Sequence, residues 1–114
     1  MPIATAERAH HAAVEAGERA HAADALVVLG TARLHGGDGA GAAQAVDEAR
    51  GIYAELADPY GLARAAELEY TVAIGMGDLP RARQALDDGA LHADRAGVTR
   101  LVRQFNEKRT ELGT

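Results

Sequence analysis

The segment GGDGAGAAQAVDEA, Gly36 to Ala49, is matched forty residues later by MGDLPRARQALDDG, Met76 to Gly89. Gly37-Asp38 becomes Gly77-Asp78, Ala42 becomes Ala82, and Gln44-Ala45-Val46-Asp47 becomes Gln84-Ala85-Leu86-Asp87. A chain that writes one pattern twice at a fixed distance is built of repeats. Each copy is then one supersecondary unit that hides its apolar face against its neighbours. A second series marks the other ends of the units. EAGER at 15–19, LADPY at 56–60 and RAGVT at 95–99 place Ala16, Ala57 and Ala96 at intervals of 41 and 39 residues, a period near 40.

Composition says what the unit is made of. Ala supplies 27 of the 114 residues, and the aromatic side chains are only Tyr53, Tyr60, Tyr70 and Phe105. An interior this poor in bulk closes by backbones approaching tightly across small residues. Ala is also the strongest helix former, so the chain reads as all-α, one domain in length. Six helices are predicted. The first runs from Ile3 to Ala16 and the second from Arg19 to His35, where Gly36-Gly37 supplies a left-handed stop. The third runs from Ala40 to Leu56, opened by Asp38 as N-cap and halted before Pro59. The fourth runs from Tyr60 to Met76. The fifth runs from Leu79 to Arg95, with Asp78 as cap and Pro80 in the first turn. The sixth runs from Thr99 to Leu112, with Leu101, Val102, Phe105 and Leu112 on one face.

A helical hairpin repeated with Gly-Asp at its turn resembles the tetratricopeptide repeat family. The residues that carry the likeness are Leu26, Leu29 and Gly30 on the first helix of one unit, Gly37-Asp38 at its turn, and Ala42, Val46 and Ala49 on its second helix. In the next unit Ala82 and Leu86 match, Gly89 replaces the last Ala, and Glu69 and Tyr70 stand where Leu29 and Gly30 stood. Units near 40 residues rather than 34 are similar to those of bacterial helix-turn-helix transcription regulators that carry such arrays. The resemblance implies a TPR-like α-α superhelix over 1–114: a leading helix at 1–17, repeat one at 18–57, repeat two at 58–97 and a capping helix at 98–112. It implies a non-catalytic protein- or peptide-binding module, the sensory or scaffolding part of such a regulator. Its concave groove would be lined by Asp24, Val27, Thr31, Leu34 and His35 in one unit, and by Arg64, Glu67, Thr71 and Ile74 in the other. Two other readings stay open, a self-associating oligomerisation domain and a small-molecule-binding or enzymatic helical domain.

The remaining chemistry is sparse. There is no Cys and no Ser, so disulfides, thiolate sites and a serine nucleophile are excluded. GGDGAG has no Lys-Ser/Thr and no preceding strand, so it is not a phosphate loop. Asp87-Asp88 are adjacent on a helix and do not face one another. The histidines, His10, His11, His21, His35 and His92, form no i, i+4 metal pair. His10 and His11, on an alanine-rich helix, are candidates for an interface. No catalytic residue, metal or cofactor is therefore expected. Glu69 sits at a core-like position; it is expected to turn to solvent or to pair with Arg33, a catalytic carboxylate being the remaining reading. The net charge of −5 argues against direct nucleic-acid binding. Arg100, Arg103, Lys108 and Arg109, set against Glu107 and Glu111, read as the solvated face of a capping helix. No apolar run approaches the ~20 residues of a membrane span and the N-terminus lacks a signal core, so a cytoplasmic location and a protein or peptide partner, with no membrane, are expected.

Overall fold

In the computed structural model, which describes residues 3–113, every element is a helix: α1 (Ile3–Glu15), α2 (Arg19–His35), α3 (Gly39–Glu55), α4 (Pro59–Gly75), α5 (Leu79–Ala96) and α6 (Thr99–Glu111). α2 starts at 19, α4 at 59 and α6 at 99, while α3 and α5 start at 39 and 79. The period is thus 40, and it runs through all the helices rather than through the two central hairpins alone. α6 begins where a third first-of-pair helix would begin. α1 ends at 15, forty residues before the end of α3. The leading and capping helices are half-units in the same register.

Local chemistry explains the punctuation. Gly37 and Gly77 both take left-handed φ, 85° and 73°. Behind them Asp38 N–H donates to the Arg33 carbonyl and Asp78 N–H to the Ala73 carbonyl, each at 2.9 Å. This is the six-residue closure that satisfies a helix's last carbonyls. The same aspartates then open the next helix: Asp38 Oδ1 accepts from Gly41 N–H at 2.8 Å and Asp78 Oδ1 from Arg81 N–H at 3.2 Å. One Gly-Asp pair stops a helix and starts its partner, twice. Asp58 repeats the cap on Gly61 N–H at 3.0 Å. Pro59 is therefore the first residue of α4, where its missing N–H costs nothing, and not merely the end of α3.

The turns between units are marked by Gly17, Ala57 and Gly97, one residue past the alanines at 16 and 96. All three take left-handed φ, 71°, 51° and 73°, at intervals of 40. Ala57 alone among them carries a Cβ, and that conformation costs an L-residue about 1–2 kcal/mol. Ala57→Gly is expected to raise the unfolding free energy by about 1 kcal/mol, reduced by glycine's greater freedom in the unfolded chain. The check is a rise in the urea midpoint at unchanged slope; a fall would mean that Ala57 is not left-handed.

The chain divides into two compact units between Ala57 and Asp58. In the first, α2 packs on both α1 and α3. Its buried residues are mainly small: Ala6 and Ala13 of α1, Ala22 and Ala23 of α2, and Ala42, Ala45 and Ala49 of α3, with Leu26, Leu29, Val46 and Tyr53 as the bulk. Polar links across the α2–α3 hairpin include Arg19 paired with Glu55 and the Tyr53 hydroxyl, which donates to Asp24 Oδ1 at 2.5 Å.

In the second unit α5 packs on both α4 and α6. Ala63 and Ala66 of α4, Leu86 and Ala93 of α5 and Leu101 and Phe105 of α6 form one cluster, joined by Tyr70, Val102 and Leu112. The apolar stripe expected on the sixth helix is thus the one that covers the hairpin. Gly89 is explained by it: a Cβ there would lie 2.3 Å from the Phe105 ring, so the position where α3 carries Ala49 is emptied for an aromatic side chain.

Glu69 is buried, and neither expectation for it holds. Its Oε1 accepts from Arg81 Nε and Nη2, both at 3.1 Å. Arg33 instead donates to the Gly41 carbonyl at 3.1 Å. The register explains the arrangement. Leu29 and Gly41 of the first hairpin become Glu69 and Arg81 in the second, so the two positions that carry leucine and glycine in one hairpin carry a charge pair in the other. Among the described residues no helix is long and apolar enough to cross a membrane.

Candidate functional site

On α2, Asp24 is half-buried and holds the Tyr53 hydroxyl, which makes it part of the hairpin's own closure. Val27 is buried, and Thr31 donates its hydroxyl to the Val27 carbonyl at 2.9 Å. Leu34 is half-buried and His35 exposed at the end of the helix. These residues follow one side of α2, and the side chains offered most openly are those of its last turn.

On α4, Arg64 is half-buried while Glu67, Thr71 and Ile74 are exposed. Thr71 donates to the Glu67 carbonyl at 3.2 Å, which sets its hydroxyl beside its own helix. Glu67 and Thr71 share an open cleft of about 430 Å³ with Gln104, Glu107, Lys108 and Glu111 of α6. The cleft therefore has one wall from α4 and the other from the helix read as a cap. Arg64 and Ile74 do not line it.

The α6 side of this cleft was missed from the sequence, yet a signal existed. Shifting the α4 positions by the period gives Gln104 from Arg64, Glu107 from Glu67 and Glu111 from Thr71. All three are cleft residues. Electrostatically the cleft has three carboxylates and one ammonium, and the Lys108 Nζ lies 5.5 Å from the centre of the Tyr70 ring. A cation over an aromatic face is held by the ring's quadrupole. The walls thus offer negative charge and amide and hydroxyl groups, and every lining residue is polar or charged. They suit an extended cationic segment better than a drug-like apolar ligand, whose sites are mostly hydrophobic.

A second open cleft, about 180 Å³, lies in the first unit. Its walls are Glu7, His10 and His11 of α1, Leu26, Leu29 and Arg33 of α2, and Gln44 and Glu48 of α3. The imidazole rings of His10 and His11 meet edge to face with centres 6.3 Å apart. The histidines are not gathered as metal ligands: among the described residues no three His, Cys, Asp or Glu side chains converge to hold an ion.

His21 has a carboxylate neighbour. It stands at the start of α2 with Nδ1 2.7 Å from Glu18 Oε2. The hydrogen bond to Glu18, then its negative charge, raise the His21 pKa above the ordinary 6.5. A raised value in the folded chain means that the pair contributes to stability fully below pH ~6.5 and stops contributing as pH rises through the raised value. The His21 ring resonances are expected to titrate above 6.5 by NMR, and Glu18→Gln to bring the midpoint back towards it. A midpoint indifferent to that substitution would contradict the pairing.

Comparison with protein-family models, with curated proteins and with solved structures found no match to this chain.

Proposed function

We propose that the chain is a tetratricopeptide-like binding module without catalytic activity, and that it holds a short extended segment of another protein along the α4–α6 cleft. The observation that carries this reading is the register. The groove positions Glu67 and Thr71 and their 40-residue images Glu107 and Glu111 fall in one open cleft. Three carboxylates favour a segment with Lys or Arg side chains. Gln104 and Thr71 offer donors and acceptors to its backbone. Rim charges of this kind set association rate and selectivity more than affinity, so binding is expected to weaken with salt. A place as the sensory or scaffolding part of a bacterial transcription regulator is consistent with the lengthened units.

The test is selection of peptides from a displayed random library against the folded protein, followed by titration of the best sequences. Selected peptides are expected to be enriched in Lys and Arg. Glu67→Lys with Glu107→Lys is expected to lower their affinity about tenfold, roughly 1.4 kcal/mol, with the circular dichroism unchanged. Peptides without basic enrichment, or binding indifferent to both substitutions, would overturn the reading.

A further inference from the structure

We propose that α1 is a docking edge for a second copy of this chain, pairing antiparallel with the partner's α1. The inference is independent of the peptide reading and rests on a face the first unit leaves uncovered. Only Ala6 and Ala13 of α1 are buried, at 0% and 7% exposure. Ile3 and Val14 are 40% and 57% exposed and are two of the three large apolar side chains left open among the described residues of this unit. They belong to the stripe Ile3, Glu7, His10, Val14, whose spacing of four, three and four is that of a coiled-coil seam. Glu7 and His10 border the cleft that separates this edge of α1 from Gln44 and Glu48 of α3, so side chains of a partner helix have room beside them.

The stripe is complementary to itself. About a two-fold axis between Arg8 and Ala9, an antiparallel partner sets Ile3 against the partner's Val14 and Glu7 against the partner's His10, and each pairing occurs twice. This is the self-matching that an isologous interface requires. A parallel partner would set Glu7 on the partner's Glu7 and His10 on the partner's His10. The central polar pair therefore fixes direction while the apolar ends supply the burial, as a polar residue within a seam does.

At the register of Ala23 and Ala63, both fully buried, α6 carries Arg103. At the register of Leu26 and Ala66 it carries Asn106, and both Arg103 and Asn106 are exposed. That face of α6 therefore offers a partner helix a cation and an amide where α2 and α4 carry alanine and leucine.

Two helices of 13 residues bury less area than a standard interface, so the association is weak. Sedimentation equilibrium from roughly 10 μM to 1 mM reads it. The wild-type chain is expected to move from monomer to dimer mass across that range. Glu7→Lys and His10→Glu, each leaving like or mismatched charges at the seam, are each expected to raise the dissociation constant about tenfold. The double variant sets Lys against the partner's Glu across the seam and is expected to regain the wild-type constant. Val14→Glu is expected to leave a monomer with unchanged circular dichroism. A wild-type chain monomeric at 1 mM, single variants that dimerise like the wild type, or a double variant that is not rescued would each overturn the proposal.

Discussion

Phe105→Ala is expected to destabilise the chain by about 3–5 kcal/mol, the usual cost of truncating a buried phenylalanine. The ring is 2% exposed and belongs to the cluster that joins α6 to α4 and α5. It also lies on the bare backbone of Gly89, where a Cβ would approach within 2.3 Å. The facing residue has no side chain to move into the space. The effect is therefore expected at the upper part of the range. It should appear as a lower urea midpoint together with faster amide exchange along α6, whose only other buried side chain is Leu101. A loss below ~1 kcal/mol would mean that α6 is not seated on α5.

Arg81→Ala is the second large effect, about 3 kcal/mol. Removing one member of a buried pair costs about 3–5 kcal/mol when both groups are fully buried. The Glu69 side chain is 9% exposed and Arg81 29%, so water reaches the arginine side and the low end of that range applies. The asymmetry makes the prediction specific. Glu69→Leu leaves an arginine that extends to solvent and is expected to cost under ~1 kcal/mol. The double variant Glu69→Leu with Arg81→Ala approaches the residue types of the first hairpin, Leu29 and Gly41, and is expected to lie within ~1 kcal/mol of the wild type. Chemical denaturation of the four proteins measures the coupling. Equal losses for both single variants, or additive losses in the double, would contradict a buried pair that replaces a leucine.

Much of this fold is legible in the chain because its punctuation is chemical. Gly37-Asp38 and Gly77-Asp78 combine the one residue at ease with positive φ and a side chain that caps the next helix. The helix ends there are accordingly read to within a residue. Ala57 escaped because alanine carries no signal for a left-handed turn; only the period, with Gly17 and Gly97 on either side, marks it. Asp58 and Pro59 read as a stop when they are also a start. Glu69 was legible as an anomaly, but its partner was not. Arg33 lies in the same stripe and invites the pairing, while the decisive clue is that Leu29 and Gly41 change together into Glu69 and Arg81.

The candidate site was legible only in part, for a similar reason. Asp24 looks like an exposed acid on a helix face until Tyr53, 29 residues on, takes it into the hairpin. Glu67 and Thr71 hold their open positions, but their cleft depends on α6, whose charges suggest a solvated cap when read alone. Counting forty residues from Glu67 reaches Glu107, and α6 then becomes a wall of the cleft as well as a cover for α5.

The claim on which the rest depends is that one 40-residue unit governs every helix and turn, the two half-units included. Backbone dihedrals from NMR chemical shifts and residual dipolar couplings test it most directly. Positive φ is expected at positions 17, 37, 57, 77 and 97, Ala57 among them, with helices starting at 19, 39, 59, 79 and 99. Unlike turns at Gly37 and Gly77, or an α6 that starts out of phase with α4, would contradict it.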